Sequence, residues 1–401
     1  MKTESRDSGS LKFGLNKNVF YMGITSFLTD TASKMIYSVM PLFLMSLGAT
    51  KTELSIIEGI AESTASVLKA VSGRWSDKIR KNKPFMIFGY ALTAILSPLF
   101  AIVTTPIHVL MIRFTERVGK GIRSAPRDSL IASSSDSNTK GRSFGFHKAM
   151  DNSGAILGPL LATGILLLFP RQYRVVFIVA FLPAMIGLIA LIRFVRESKE
   201  VRAKSTEAFR LRDFPLKYYA LLGIVFFFTL GNSTDALLLI KAGDVGIQIA
   251  LIPIVYMISS IVSVLASVPI GMLSDKIGRE RLIIFGYLLY SAVYFGFGRT
   301  DSQITLVMLF ALYGLYSAST DGIQKALVSD IIDKDKLGTG LGIYNSLVGI
   351  TLLPASLIAG LLYDNVDNRA PFYFGSIMAL FATILMVLFY RNNLLRKNSR
   401  I

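Results

Sequence analysis

Long apolar stretches, separated by short polar segments, run through almost all of this 401-residue chain. Each is about 20 residues long, which is the length of a helix that crosses the hydrocarbon core of a bilayer. The pattern predicts an all-α polytopic membrane protein with twelve transmembrane helices. We place them at about 18–44, 53–71, 84–104, 107–127, 143–168, 173–194, 216–240, 248–270, 282–298, 304–327, 338–362 and 371–390.

A short motif of glycine, aspartate and basic residues follows two of these stretches. Residues 73–81 read GRWSDKIRK, and residues 271–279 read GMLSDKIGR. The two copies lie about half a chain apart, which indicates an internal duplication. We therefore predict two six-helix bundles and a cytoplasmic linker between them, with the N-terminal bundle over 1–193, the linker over 194–215 and the C-terminal bundle over 216–401.

Composition and charge agree with a membrane protein. Hydrophobic residues make up 52% of the chain and charged residues 17%, and the mean hydropathy is +0.54. Most of the 43 Lys and Arg residues fall in the tails and in the loops that follow even-numbered stretches. By the positive-inside rule this distribution predicts that both termini are cytoplasmic. Membrane topology then explains the net charge of +17. We therefore expect the chain to associate with a lipid bilayer and not with nucleic acid.

Several classes of chemistry lack their sequence signals. The chain has no cysteine, hence no disulfide or thiolate metal site. It has no phosphate-binding Gly-Lys-Ser/Thr loop, no convincing hydrolase triad and no His/Asp/Glu cluster with metal spacing. We therefore expect a protein that is not an enzyme and carries no cofactor. We expect a proton gradient, or alternatively a sodium gradient, to supply the energy for its activity.

Charged residues inside the predicted spans provide the sharpest functional signal. An ionisable side chain at bilayer depth costs at least about 2.5–3.5 kcal/mol on insertion scales, so it normally faces a partner or a wet cavity. In the fourth span, Arg113, Glu116, Arg117 and Lys120 have the spacing of one helix face. With a rise of 1.5 Å per residue, Arg117 would lie about 15 Å deep, close to the midplane.

Similar charges occur in five other spans, mostly in the first half. We predict that they form a pathway for protons and substrate, with proton handling concentrated in the N-terminal bundle. The alternative is that pairs such as Asp30–Lys34 and Arg113–Glu116 are internal ion pairs that only hold helices together. The predicted pathway residues are Asp30, Lys34, Glu58, Glu62, Arg113, Glu116, Arg117, Asp151, Asp235 and Asp321.

The motifs resemble those of the major facilitator superfamily, in its twelve-helix bacterial type, over essentially the whole chain. The resemblance implies that the repeated motif is a cytoplasmic gate that latches the two bundles in one state. The alternative is that its aspartates only end the helices and enforce topology. The motif is matched by Gly73, Asp77 and Lys78, and again by Gly271, Asp275, Lys276, Gly278 and Arg279.

A second family motif, found in the fifth helix of antiporters, is partly present. It matches Gly145, Gly154, Gly158 and Pro159, although Ala162-Thr163 replaces its closing glycine pair. The resemblance implies antiport, whereas close helix packing with a kink explains the same residues without it.

These features together predict a secondary active transporter that works by alternating access, with one substrate site between the bundles. Our first hypothesis is proton-coupled efflux of a small organic molecule, such as a drug, a metabolite or a siderophore. The alternative is proton-coupled import of a small organic anion. A third hypothesis, from another class, is a non-transporting membrane scaffold or sensor. We expect a monomer in the bacterial inner membrane.

Overall fold

The computed structural model describes residues 15–79, 81–135, 139–197, 214–333 and 336–398. These residues form thirteen α-helices and two short 3₁₀ segments, with no strand. The helices are α1 (Lys17–Ser46), α2 (Lys51–Ile79), α3 (Lys83–Leu96), α4 (Pro106–Ser133), α5 (Lys140–Leu168), α6 (Tyr173–Phe194), α7 (Leu216–Gly231), α8 (Ala236–Asp244), α9 (Ile252–Ile277), α10 (Arg279–Arg299), α11 (Gln303–Ile331), α12 (Leu337–Asn365) and α13 (Ala370–Asn398).

Membrane-spanning length and hydropathy occur together in most of these helices. In the part of the chain that the structure describes, nine helical stretches are long and apolar enough to cross a membrane, with α7 and α8 counted as one. The other three predicted spans are α1, α2 and α4, which contain 30, 29 and 28 residues. Their length suffices for a crossing. They differ from the nine because they carry most of the charges inside the spans.

Helix packing repeats between the two halves of the chain. In the first half, α1 packs on α5 and α6, α2 on α4, and α3 on α4 and α6. In the second half, α7 packs on α12 and α13, α9 on α11, and α10 on α11 and α13. The halves meet where α2 packs on α12 and α5 on α9, and these two pairs are themselves equivalent. The predicted linker at 194–215 lies largely outside the described residues.

Two ends of this helical assembly can be distinguished. We call the end where α1 begins and α6 ends the terminus face, and the end where α2 begins and α12 ends the opposite face. At the terminus face, the side-chain amide of Asn18 donates to the backbone carbonyl of Arg196 at 2.9 Å. The Glu197 carboxylate accepts from the backbone N–H groups of Asn82 and Lys83, at the start of α3. These contacts fix the helix ends of the first half together.

Glycines allow α2 and α12 to approach closely where the two halves meet. A Cβ atom on Gly360 would lie 2.7 Å from the Cα atom of Thr52, and one on Gly349 would lie 2.2 Å from the Cβ atom of Ser66. Contacts this short require glycine, because a side chain would push the helices apart. The close contact therefore runs from the opposite face to about the middle of both helices.

The seventh predicted span, 216–240, is not one continuous helix. α7 ends at Gly231, and the four residues Asn232–Asp235 separate it from α8. Asn, Ser, Thr and Asp all have low helix propensity, since their side chains compete for backbone hydrogen bonds. A Cβ atom on Gly231 would lie 2.5 Å from the Cβ atom of Met378, so α7 also packs tightly on α13 just before the break.

Candidate functional site

A cavity of about 700 Å³ lies between the two halves of the molecule. Its lining comes from α1, α2, α4 and α5 on one side, and from α9, α11, α12 and the break between α7 and α8 on the other. It extends from Tyr37 and Tyr256 to Lys69, Arg127 and Lys148, which lie towards the terminus face. All ten predicted pathway residues line this cavity: Asp30, Lys34, Glu58, Glu62, Arg113, Glu116, Arg117, Asp151, Asp235 and Asp321.

Arg113 is held in the wall by two carboxylates. Its guanidinium donates to both oxygens of Glu58, with the shortest distance 2.7 Å, and to Glu116 at 2.8 Å. The Arg113 and Glu58 side chains are almost completely buried. A fork of this kind satisfies the guanidinium in a geometry that suits it. Arg113 therefore joins α4 to α2, which is the role that our alternative hypothesis gives to internal ion pairs.

Arg117 is held less completely, one helical turn further along α4. Its guanidinium lies 2.7 Å from Glu62, and it approaches Glu58 only at 4.0 Å. Its Nε atom has no hydrogen-bond partner within the described part of the chain. The Glu62 side chain is 38% exposed, whereas that of Arg117 is 8% exposed. Both residues line the cavity, and Glu62 is the more exposed member of the pair.

Asp30 and Lys34 do not form the ion pair that their spacing on α1 suggests. The Lys34 ammonium instead donates to the hydroxyl of Tyr256 at 3.0 Å, across the cavity on α9. It also lies 5.1 Å from the centre of the Tyr37 ring. The Asp30 carboxylate makes no hydrogen bond or ion pair with any residue that the structure describes. Helical spacing places two residues on one face, but it does not determine which way a long lysine side chain turns.

A series of polar contacts connects Asp151, at the cavity, to the interior of the first half. Asp151 lies 3.8 Å from Arg127 and 3.6 Å from Nδ1 of His147. The Nε2 atom of His147 lies 2.8 Å from the Ser26 hydroxyl, which in turn lies 3.1 Å from that of Tyr90. This buried histidine was not among the predicted site residues, because one isolated histidine carries no pattern in the sequence.

The second half supplies hydroxyl groups and rings to its wall of the cavity. The Tyr313 hydroxyl donates to the Asp235 carboxylate at 2.6 Å. The Asn232 amide donates to the Tyr316 hydroxyl at 3.1 Å. Asp321 accepts from a serine hydroxyl on its own helix. The two carboxylates of this wall thus have neutral partners.

Sequence reasoning missed the aromatic part of the site. The tyrosines in the lining are Tyr37, Tyr256, Tyr313 and Tyr316, and they face the same space as the charges. Tyrosine is also common in cores and at membrane interfaces, so its position in the sequence does not identify it as a lining residue. The break was detectable, because the run from Gly231 to Asp235 interrupts an apolar stretch with poor helix formers.

The repeated motif lies at the ends of α2 and α9. α2 continues to Ile79 and α9 continues to Ile277, so Asp77, Lys78, Asp275 and Lys276 occupy the last turns of these helices. The side chains of Asp77 and Lys78 lie outside the described residues.

In the second copy of the motif the chain turns at Gly278, where φ is +98°. Arg279 lies 3.8 Å from Asp275 and 2.8 Å from Asp330 at the end of α11, within its own half. A Cβ atom on Gly73 would lie 3.3 Å from the Cβ atom of Ala125, whereas one on Gly271 would meet open space.

Two of the α5 motif glycines pack on α1. A Cβ atom on Gly154 or Gly158 would lie 2.6 Å from a backbone oxygen of α1, whereas one on Gly145 would meet nothing within 4 Å. Pro159 lies inside α5. The backbone contact of α5 with α1 beside Asp30 and Lys34 therefore depends on two glycines.

The chain resembles one relative and one solved structure over most of its length, and a second relative over about a third of it. An uncharacterised MFS-type transporter of Methanocaldococcus jannaschii is 36% identical over 385 residues, which are 93% of this chain and 95% of the relative. The quinolone resistance protein NorA of Staphylococcus aureus is 27% identical over 145 residues, 36% of this chain and 37% of NorA. The crystal structure of a POT family transporter in complex with a thioalcohol-conjugated peptide has a TM-score of 0.80 and 13% identity, with 95% of this chain and 97% of that chain covered.

The family follows from these matches together with the repeat. The family model described as Major Facilitator Superfamily matches residues 22–240 and 219–400, which together cover nearly the whole chain. The first matched segment covers most of α1, all of α2 to α6 and continues into α8, and the second covers nearly all of the second half. The chain belongs to the Major Facilitator Superfamily, and it is a multi-pass membrane transporter, not an enzyme.

Proposed function

We propose that this transporter exports a small organic molecule from the cytoplasm in exchange for protons, by alternating access. The observation that carries the proposal is the cavity between the halves, which extends towards the terminus face and ends at contacts near the opposite face. The distribution of Lys and Arg supports a cytoplasmic terminus face. The structure then corresponds to the state in which the site faces the cytoplasm.

Contacts between the halves close the opposite face. The Asp364 carboxylate of α12 accepts hydrogen bonds from the backbone N–H groups of Lys51 and Thr52, at the start of α2. Deeper in the molecule the Tyr37 and Tyr256 rings lie 5.6 Å apart, centre to centre, across the two halves. Alternating access requires these contacts to break when the site faces the other side.

The carboxylates of the cavity supply the proposed coupling. Glu62 is paired with Arg117 but partly exposed, and Asp30 and Asp235 have no cationic partner within ion-pairing distance among the described residues. A carboxylate that gains or loses a proton changes the charge of the wall by one unit. A substrate that displaces such a proton, or competes for Arg117, is thereby coupled to proton movement. Sodium is the alternative coupling ion, since carboxylates serve both.

Two observations favour export. NorA, a quinolone resistance protein, resembles about a third of this chain, and α5 carries part of an antiporter motif whose glycines pack on α1. Import of an organic anion is the second candidate. It is favoured by the exposed Lys120 and by Arg117, which both line the cavity.

Substrate-dependent proton movement in proteoliposomes tests the proposal. The purified chain is reconstituted with a pH-sensitive dye inside and challenged with a panel of metabolites and antibiotics. We expect protons to move against the direction of the substrate, and we expect Asp30→Asn and Arg117→Ala to abolish the movement. Asp333→Asn is the matched control, because its side chain is 80% exposed outside the cavity lining.

The direction of flux separates the candidates. Protons that move with the substrate would favour import by symport. Substrate transport that is unaffected by the proton gradient, or by both substitutions, would contradict the proposed coupling.

A further inference from the structure

The two walls of the cavity carry opposite net charge. Among the residues that line it, the first half contributes eight basic and five acidic side chains. The second half contributes two acidic side chains, Asp235 and Asp321, and no basic one among the described lining residues. Since the internal ion pairs of the first half involve its own acids, the surplus positive charge of that wall faces the acidic wall across the cavity.

The positive wall has one cation that no protein group pairs with. Lys120 is exposed, and its side-chain ammonium forms no hydrogen bond or ion pair with any residue described in the structure, although its backbone carbonyl accepts from the Ser124 hydroxyl. It follows Arg117 by three positions on α4, so the two side chains lie on the same helix face. Arg117 also lines the cavity, and its guanidinium is paired with Glu62, whose side chain is 38% exposed. A ligand anion placed there would contact Arg117 beside Lys120, and charge-assisted hydrogen bonds are the strong ones.

The negative wall has a carboxylate without a cation. Asp235 lies at the break between α7 and α8, and its hydrogen bond comes from the neutral hydroxyl of Tyr313. No Lys or Arg of the described part of the chain forms an ion pair with it. Ser233 and Thr234 of the break line the cavity beside it. The residues here offer acceptors for an ammonium group.

We propose that the substrate is a zwitterion, with its anionic group on Arg117 and Lys120 and its ammonium group on Asp235. This inference rests on the proposed transport function and specifies its substrate class. An anion would be attracted to one wall and repelled by the other, and the same holds for a cation. A zwitterion is attracted to both walls. Each of its two charged groups is then hydrogen-bonded to the protein after it leaves water.

The tyrosines indicate what lies between the two charges. Tyr37, Tyr256 and Tyr313 line the cavity close to Lys34 and Asp235. Their rings offer flat apolar surfaces, and they attract an ammonium group over the ring face. The substrate therefore has a compact apolar or aromatic body, as in an aromatic amino acid or a related amino-acid-like compound.

Matched charge series test this assignment directly. Each of several scaffolds is supplied as a zwitterion, a cation, an anion and a neutral compound; tyrosine, tyramine, 4-hydroxyphenylpropionate and 4-ethylphenol form one series. Binding to the purified protein is measured as the ligand-induced rise in its unfolding temperature. We expect the zwitterion to give the largest rise within at least one scaffold. Single-charge forms that match or exceed the zwitterion in every scaffold, or no response to any zwitterion, would overturn the proposal.

Two substitutions locate the charged ends. Asp235→Asn should weaken zwitterion binding about tenfold or more, the effect of losing a charge-assisted contact, and should not weaken binding of the anion of the series, which Asp235 repels. Lys120→Gln should weaken the zwitterion and spare the cation. Lys120 has no protein partner to lose, so its substitution provides a folded variant even if Asp235→Asn proves unstable. Equal effects of each substitution on all charge forms would contradict the two-ended site.

Failure of this inference can be told apart from failure of the proposed function. If the protein moves protons in response to an uncharged or singly charged compound, transport stands and the zwitterion assignment is wrong. If zwitterions bind with the predicted charge dependence but drive no proton movement, the substrate class stands and the coupling is wrong.

Discussion

The two walls of the cavity are built on equivalent helices but use different chemistry. In the first half, Arg113 is enclosed by Glu58 and Glu116, so buried charges neutralise one another. In the second half, Asp235 has a tyrosine hydroxyl as its partner. The first wall therefore depends on ion pairs for its structure, whereas the second leaves its acid available to a ligand.

Equivalent positions show how far the halves have diverged. Measured from the paired Asp77 and Asp275, Glu58 on α2 corresponds to Tyr256 on α9. Both line the cavity. The duplication thus preserves the helix-end motif and the packing scheme, which the fold requires, but not the charges in the cavity. We infer that the packing of the halves and the chemistry of their walls are specified by separate sets of residues.

The largest expected difference between the walls concerns stability. Arg113→Met would leave Glu58 and Glu116 buried without their cation, and breaking a buried ion pair costs about 3–5 kcal/mol. We expect a large fall in the unfolding temperature in detergent micelles, or loss of folded protein. Asp235→Asn is the matched substitution in the other wall. It keeps an oxygen acceptor for Tyr313, so its effect should stay below about 1 kcal/mol.

A second substitution shows whether the loss comes from unpaired charge. Adding Glu58→Gln to Arg113→Met removes one of the two stranded carboxylates, so the double variant should be more stable than the single one. If Arg113→Met and Asp235→Asn lowered stability equally, the contrast between an ion-paired wall and a wall of neutral partners would be wrong.

The sequence predicted much of this molecule for physical reasons. Apolar stretches of span length follow from the energetics of a bilayer, and nine of them appear as helices of sufficient length and hydropathy in the described part of the chain. A charged side chain inside a span is energetically costly. On this basis we predicted ten residues, and all ten line the cavity.

The sequence did not predict which side chains pair with one another, or where a helix is interrupted. Asp30 and Lys34 have the spacing of an ion pair, yet Lys34 binds Tyr256 of the other half. That partner is distant in sequence, and only the packing of the halves brings it near. The tyrosines of the second wall had no charge to mark them. The break at Asn232–Asp235 was visible in the composition. A prediction from the length of apolar stretches alone does not detect an interruption of four residues.

A smaller effect is expected where the two walls touch. Tyr256→Phe removes the hydrogen bond that Lys34 makes across the cavity, and a bond to a charged group contributes about 1.5–3 kcal/mol. Closure near the opposite face should weaken, and a larger fraction of molecules should be open there. The chain has no cysteine, so two introduced cysteines take spin labels specifically. Ile107 and Ile304, exposed at the starts of α4 and α11, report the separation of the halves.

Tyr313→Phe is the control for this measurement. It also removes one tyrosine hydroxyl from the cavity, but its hydrogen bond to Asp235 lies within the second half. It should leave the distance between the labels unchanged. A distance distribution that shifts equally in both variants would show that loss of any cavity hydroxyl loosens the protein, and that the Lys34–Tyr256 contact has no special role in closure.

The smallest effect concerns Asp364, which joins the halves at the surface of the opposite face. Its carboxylate accepts from the backbone N–H groups of Lys51 and Thr52, at 3.3 Å and 2.7 Å, where the α2 dipole favours negative charge. At an exposed helix terminus such a contact contributes about 0.3–1 kcal/mol. Asp364→Ala should therefore increase the population open at the opposite face only about two- to fivefold, measured with the same pair of spin labels.

Asp367→Ala separates a contact between the halves from a local effect of charge. Asp367 lies three positions further on and accepts from the backbone N–H of Arg369 within its own half. Both substitutions remove one negative charge from the opposite face, but only Asp364→Ala removes bonds that must break when the halves separate there. A shift in Asp364→Ala alone would mean that one carboxylate of the second half caps a helix of the first and so biases the equilibrium between states. Equal shifts would assign the effect to surface charge, and closure would then rest on the glycine contacts of α2 with α12 and on Lys34 with Tyr256.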